Sequence, residues 1–233
     1  MEEYASTTDI YTLQWIVFIG VAIASWLVSA NLQSKFKKYA QAPLGMSGRD
    51  VALKMLRDNG LYDVQVISTP GHLTDHFNPL TKTVNLSESV YNQYSVAAAA
   101  VAAHECGHAI QHAKAYAPLK LRSALVPVVS ISSRYVQWIL LGGMMLLNVF
   151  PQLLFIGIIL FSLTTLFSFI TLPIEIDASS RAVAWLNNAG ITRSGTDQMA
   201  RKALRSAAYT YVVAALGSLA TLLYYVMIFL RRR

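Results

Sequence analysis

A chain of 233 residues that is 55% hydrophobic and only 13% charged, with a mean hydropathy of +0.43, is too apolar for an ordinary soluble domain and reads as a membrane protein. The formal net charge of +7 comes with no nucleic-acid-binding motif, so the basic excess is assigned to topology and lipid contact, and no nucleic acid is expected as a partner. The only cysteine, Cys106, excludes an intrachain disulfide.

Residues 1–9 are polar and acidic, and residues 10–32 form an apolar run long enough to cross a bilayer, which takes about 20 residues. Val28, Ser29 and Ala30 resemble a signal-peptidase site, but Glu2, Glu3 and Asp9 are the opposite of a basic leader, so residues 1–38 are read as an uncleaved signal-anchor helix. Lys35, Lys37 and Lys38 follow at once and place that end in the cytoplasm by the positive-inside rule. Ser47, Gly48, Arg49 and Asp50 read as a capping box opening a helix to about Asn59, with Gly60 as its stop. Residues 63–67 alternate like a strand, and Thr69, Pro70 and Gly71 make a turn. Residues 73–77 and 82–86 flank Asn78, Pro79, Leu80 and Thr81 and predict a β-hairpin, followed by a short helix over 87–94. Residues 39–122 thus form a small α+β unit.

That unit ends in an alanine-rich run from Ser95, a good N-cap, through His104, Glu105, Cys106, Gly107 and His108. On a helix, residues i and i+4 share a face, so His104 and His108 can present two imidazoles to one metal ion. Glu105, beside the first of them, is placed to take a proton from attacking water as general base. This is the H-E-x-x-H pattern of zinc hydrolases. His112 cannot join the set on an unbroken helix: eight residues put it about 12 Å along the axis from His104, against a Zn–N bond of about 2 Å. Gln111 and Lys114 stand where an extended three-histidine motif would need Gly and His.

Residues 123–173 are read as a transmembrane helical hairpin turning at Pro151 and Gln152, residues 174–210 as a basic helical segment, and residues 211–233 as a fourth span. The lysines after the first span and the arginines of the 174–210 segment outweigh Arg231, Arg232 and Arg233, so the site is expected on the cytoplasmic side, although four spans put that arginine triplet outside with the acidic N-terminus. A catalytic zinc takes three protein ligands and an open position. The hairpin returns the chain to the side it left, at Glu175 and Asp177, and acidic groups at a membrane edge are costly unless paired or coordinating. Glu175 is read as the third ligand of a single Zn2+ ion. Asp177, about 200° around the helix, is its competitor and otherwise a helix-start carboxylate.

Taken together, residues 71–79 (GHLTDHFNP), 81–87 (TKTVNLS), 102–112 (AAHECGHAIQH), 117–127 (APLKLRSALVP) and 173–182 (PIEIDASSRA) resemble the membrane-bound neutral zinc metallopeptidases of bacteria, the YugP type. The wider likeness is to gluzincin membrane proteases, which carry H-E-x-x-H and, later, E-x-x-A-D. Glu175 and Ala178 match that second pattern, but Ser179 replaces its Asp, so Asp177 or Asp75 would have to orient a zinc histidine. The resemblance implies an α-helical membrane protein of about four transmembrane helices with a small gluzincin-like α+β domain, in a bacterial plasma membrane. It also implies a substrate strand pairing with the hairpin before the zinc helix. Asp75 and His76 read either as turn-side polar residues or as contacts to substrate or the ligands; His76, Tyr209 or Tyr211 could donate to the oxyanion, the tyrosines reading first as interfacial anchors.

The expected function is a membrane-integrated zinc endopeptidase acting on protein or peptide substrates near the cytoplasmic membrane face. Two rivals stand beside it. One is an intramembrane-cleaving metalloprotease with Asp177 as ligand, disfavoured by the soluble-looking 39–122 unit. The other is a non-proteolytic scaffold holding structural zinc, disfavoured because structural sites are closed by four protein ligands.

Overall fold

The computed structural model describes residues 2–231, with side chains from Trp15 onward and at Thr12. Met1, Arg232 and Arg233 lie outside the described residues, and with them two arginines of the C-terminal triplet. The elements run α1 (Glu2–Ala40), α2 (Gly48–Asp58), β1 (Gln65–Thr69), β2 (His76–Asn78), β3 (Thr83–Ser87), α3 (Glu88–Tyr91), α4 (Val96–Ala113), α5 (Ala117–Met145), α6 (Pro151–Asn188) and α7 (Ser194–Arg231). Helices α1, α5, α6 and α7 are each long and apolar enough to cross a membrane.

The chain divides into two units. The first comprises residues 1–27, 121–172 and 210–233. Its inner residues are Val136, Leu140, Leu154, Ile158, Tyr224 and Ile228. Its outer face carries Trp15, Trp138, Val149 and Phe150, apolar side chains left exposed. Such a surface is unfavourable in water and suited to lipid. Small residues let its helices close up: a Cβ on Gly143 would stand 2.6 Å from Leu154 Cα.

The second unit comprises residues 28–120 and 173–209. Ser47 caps α2 by accepting the Asp50 N–H at 3.1 Å, and Gly60 leaves the helix at φ +73°, both as the sequence pattern predicts. The expected hairpin is present as the antiparallel pair β2–β3, with Phe77 opposite Val84. The first strand lies two residues later than its alternation suggests. It pairs parallel with β3, giving the order β1-β3-β2 and leaving β3 central and buried.

Helix α4 is buried on nearly every side, which its run of alanines permits because each needs little room. It packs with Val51, Met55 and Leu56 of α2, Val84 and Leu86 of β3, Ala182 and Leu186 of α6, and Leu204 of α7. The sequence suggests a break at Pro173, because proline supplies no amide donor. Instead α6 runs through it without interruption. One missing ladder bond is offset by the packing beyond it, where Ile174, Ala178, Ala182 and Leu186 are fully buried. Likewise Pro118 and Pro151 open α5 and α6 from their first turns, where proline is favoured.

The N-cap of α4 offers a direct check. Ser95 Oγ accepts the Ala98 N–H at 3.2 Å and is buried. Ser95→Ala should cost about 1 kcal/mol and Ser95→Gly only a few tenths. Thermal unfolding midpoints in detergent measure this; an unchanged midpoint in Ser95→Ala would show that the hydroxyl is not what holds the helix start.

Candidate metal centre

Two helices of the second unit build the site. Helix α4 carries His104 and His108 on one face, with ring centroids 4.7 Å apart and nearly perpendicular. Helix α6 delivers Glu175, whose Oε2 lies 3.2 Å from His104 Nε2 and 3.6 Å from His108 Nε2. Among the described residues, these three form the group whose ligand atoms all lie within 4.8 Å of one another. Two donors each about 2.0–2.1 Å from a tetrahedral zinc stand about 3.4 Å apart, so the observed spacings fit such an ion. The donor set fits too, since two imidazole nitrogens and a carboxylate oxygen suit zinc.

Gly107 makes this approach possible. A Cβ there would meet Ala178 O at 2.8 Å, Cα at 3.1 Å and C at 3.2 Å, all of them backbone atoms. The two helices therefore touch backbone to backbone one residue before His108 and three after Glu175.

The charges are crowded. Glu105 is 8% exposed and Glu175 is 4% exposed. Burial pushes the Glu105 carboxyl above its ordinary range; the two histidines pull it down, and Glu175 and Asp75 push it up again. Burial also acts to lower the pKa of His108, but its bond to Glu175 and the charges of Glu105 and Glu175 override this and hold it above the usual imidazole range. Two buried carboxylates beside two imidazoles are the environment that a divalent cation relieves.

The remaining predicted residues are placed as follows. Asp177 does not join the three: its Oδ2 accepts from Gln111 Nε2 at 2.8 Å and from Arg181 Nε at 2.6 Å. Asp75 accepts from the Ser87 backbone N–H at 2.7 Å and from its hydroxyl, tying the β2 approach to the end of β3. His76 is exposed and donates from Nδ1 to Thr74 O at 2.7 Å. Tyr209 OH accepts from Arg205 Nε, and Tyr211 belongs to the first unit. His112 is exposed on the unbroken helix, its ring 5.8 Å from that of Phe77. Cys106 is wholly buried, its Sγ 3.6 Å from Ala52 O, and burial pushes its thiol pKa far up.

Two residues next to the histidines were not singled out as partners by the sequence pattern. Ser179 Oγ lies 3.1 Å from His104 Nδ1, at the position where the related pattern has an Asp. Gln111 Oε1 lies 3.0 Å from His108 Nδ1. The only sequence signal for Gln111 is its spacing, one helical turn beyond His108.

Comparison with known proteins gives two matches. Residues 14–230 match the model of a family described as "Putative neutral zinc metallopeptidase". The chain is 43% identical over 224 residues to "Putative membrane protease YugP" of Bacillus subtilis (strain 168), covering 94% of this chain and 99% of the relative. No solved structure matches it.

The geometry separates the two acidic residues of α6. Glu175→Ala should release metal on purification, whereas Asp177→Asn should retain it with affinity weakened by at most about 10–100-fold. Metal content by mass spectrometry decides; loss with Asp177→Asn and retention with Glu175→Ala would reverse the assignment. Gly107→Val should also lower metal content, because no side-chain motion can relieve a clash with backbone. Full metal content in that variant would show that the helix crossing does not set the ligand geometry.

Proposed function

The chain belongs to this neutral zinc metallopeptidase family, and from that premise we propose that it is a membrane-integrated, zinc-dependent endopeptidase. His104, His108 and Glu175 hold the ion, in the gluzincin manner of two histidines on one helix and a glutamate from another. The observation that carries the reading is the convergence of these three donors within 4.8 Å, with Glu105 buried beside them. Three protein ligands leave a position open, as catalytic sites do.

Zinc, when bound, supplies a Lewis acid that polarises a carbonyl oxygen and makes water a better nucleophile. Glu105 takes the proton of the attacking water and delivers it to the amine that leaves when the peptide bond breaks. Its burial keeps bulk water from competing for that proton. Strand β2 is the edge of the sheet beyond β3, so its outer backbone groups are available to an extended substrate by strand addition. Phe77, in β2, packs near His112 of α4, which sets that edge beside the helix bearing the histidines. Asp177, the ligand an intramembrane-cleaving reading needs, is engaged with Gln111 and Arg181 instead. The lysines Lys35, Lys37 and Lys38 at the end of α1 and the basic residues along residues 181–205 support a cytoplasmic site facing protein segments near the membrane.

Glu105→Gln should keep zinc but lower hydrolysis of an unstructured protein such as casein by about 10²–10⁴-fold or more in detergent. Full cleavage with full zinc would remove Glu105 from its role. Sidedness is read by cysteine labelling of intact cells: cysteines at Asn59 and Asn188 should be protected and one at Gln152 labelled. The opposite pattern would place the site outside.

A further inference from the structure

The side chain of Gln111 is completely buried, and each of its polar atoms is used. Nε2 donates to Ile174 O and to Asp177 Oδ2, both at 2.8 Å. Oε1 faces His108 Nδ1 at 3.0 Å. A backbone carbonyl only accepts, and a carboxylate paired with Arg181 Nε at 2.6 Å only accepts. The amide NH2 must therefore lie on the Ile174 and Asp177 side. Turning the amide over would set its oxygen against two acceptors in a buried site and leave all three groups unsatisfied.

With that orientation fixed, Oε1 needs a donor, and His108 Nδ1 must carry the proton. In the neutral ring the lone pair then sits on Nε2, the nitrogen that faces Glu175 Oε2 at 3.6 Å. His104 has no such constraint: its Nδ1 meets Ser179 Oγ, and a hydroxyl can donate or accept. We infer that Gln111 is a positioning residue that fixes the tautomer and ring orientation of His108, presenting Nε2 to the metal. The same amide grips α6 on both sides of Glu175, at Ile174 and Asp177. It thus couples the aim of one ligand to the placement of another, and Arg181 steadies the far end. A partner for the outer nitrogen of a ligating histidine is usually a carboxylate, carbonyl or water. Here a glutamine amide takes that place and passes the link on to Asp177.

This inference rests on the reading of His108 as a metal ligand, so the test uses the full-length chain in detergent with zinc alone as probe. Histidine 15N spectra of the zinc-loaded protein should show His108 protonated on Nδ1 and bound through Nε2; the reverse would overturn the inference. In the metal-free protein at alkaline pH, His108 should still hold its proton on Nδ1, and a proton on Nε2 would overturn it. That measurement decides the role of Gln111 even if the chain proves not to bind zinc, which would sink the metal reading instead. Gln111→Met, which keeps the volume and loses all three bonds, should weaken zinc about 10–100-fold in chelator competition and let the Nε2–H form appear. Unchanged affinity and an unchanged tautomer in a variant that melts as the parent does would refute the role.

Discussion

Everything in the second unit depends on α4 and α6 meeting with no side chain between them. Gly107 gives up its Cβ so that the α6 backbone at Ala178 can sit against it. Only at that separation can a glutamate side chain from α6 reach both histidines of α4. The surrounding core serves this contact. Fully buried alanines on both helices, Ala102 and Ala103 on one and Ala178 and Ala182 on the other, keep the layers thin, while α2 and β3 press α4 from its other sides. Small residues at a helix crossing trade side-chain burial for precision in backbone position.

The same crossing concentrates polar groups in a dry place, and nearly all are answered. Gln111 has three partners, Ser87 binds Asp75, and each histidine has a separate partner for its outer nitrogen. What remains are two carboxylates, Glu105 and Glu175, buried beside two imidazoles: burial pushes the Glu105 carboxyl up, while the bonds of Glu175 to His104 and His108 override its burial and hold it well below the usual carboxylate range. Buried polar networks are costly when half satisfied. This one would be completed by a cation, in keeping with the description of the zinc metallopeptidase family to which the chain belongs.

The parts of this arrangement that are local were legible in the sequence. The spacing of His104 and His108, the caps at Ser47 and Ser95, the stop at Gly60 and the hairpin around Asn78 and Pro79 each depend on a few neighbouring residues, and each appears in the fold. Glu175 was also in view, because a carboxylate following a long apolar run is conspicuous. What escaped depends on distant packing. The parallel pairing of β1 with β3 has no signature in five residues of β1. Pro173 reads as a break until the burial of Ile174 and Ala178 is known to carry the helix through it. Gln111 and Ser179 carry no chemical signal by type, and their meaning comes only from facing an imidazole on another turn or another helix.

The solitary thiol has a practical meaning. Cys106 stands between Glu105, the proposed general base, and the helix crossing at Gly107, yet its sulfur faces away, toward Ala52 O, in a pocket that holds it protonated. A thiol in that state is a poor nucleophile and slow to oxidise. The protein should therefore be blind to alkylating agents and to mild peroxide while remaining sensitive to chelators, a response opposite to that of a cysteine protease. In a membrane extract, that contrast alone is enough to tell the proteolysis proposed for this chain from that of a cysteine protease.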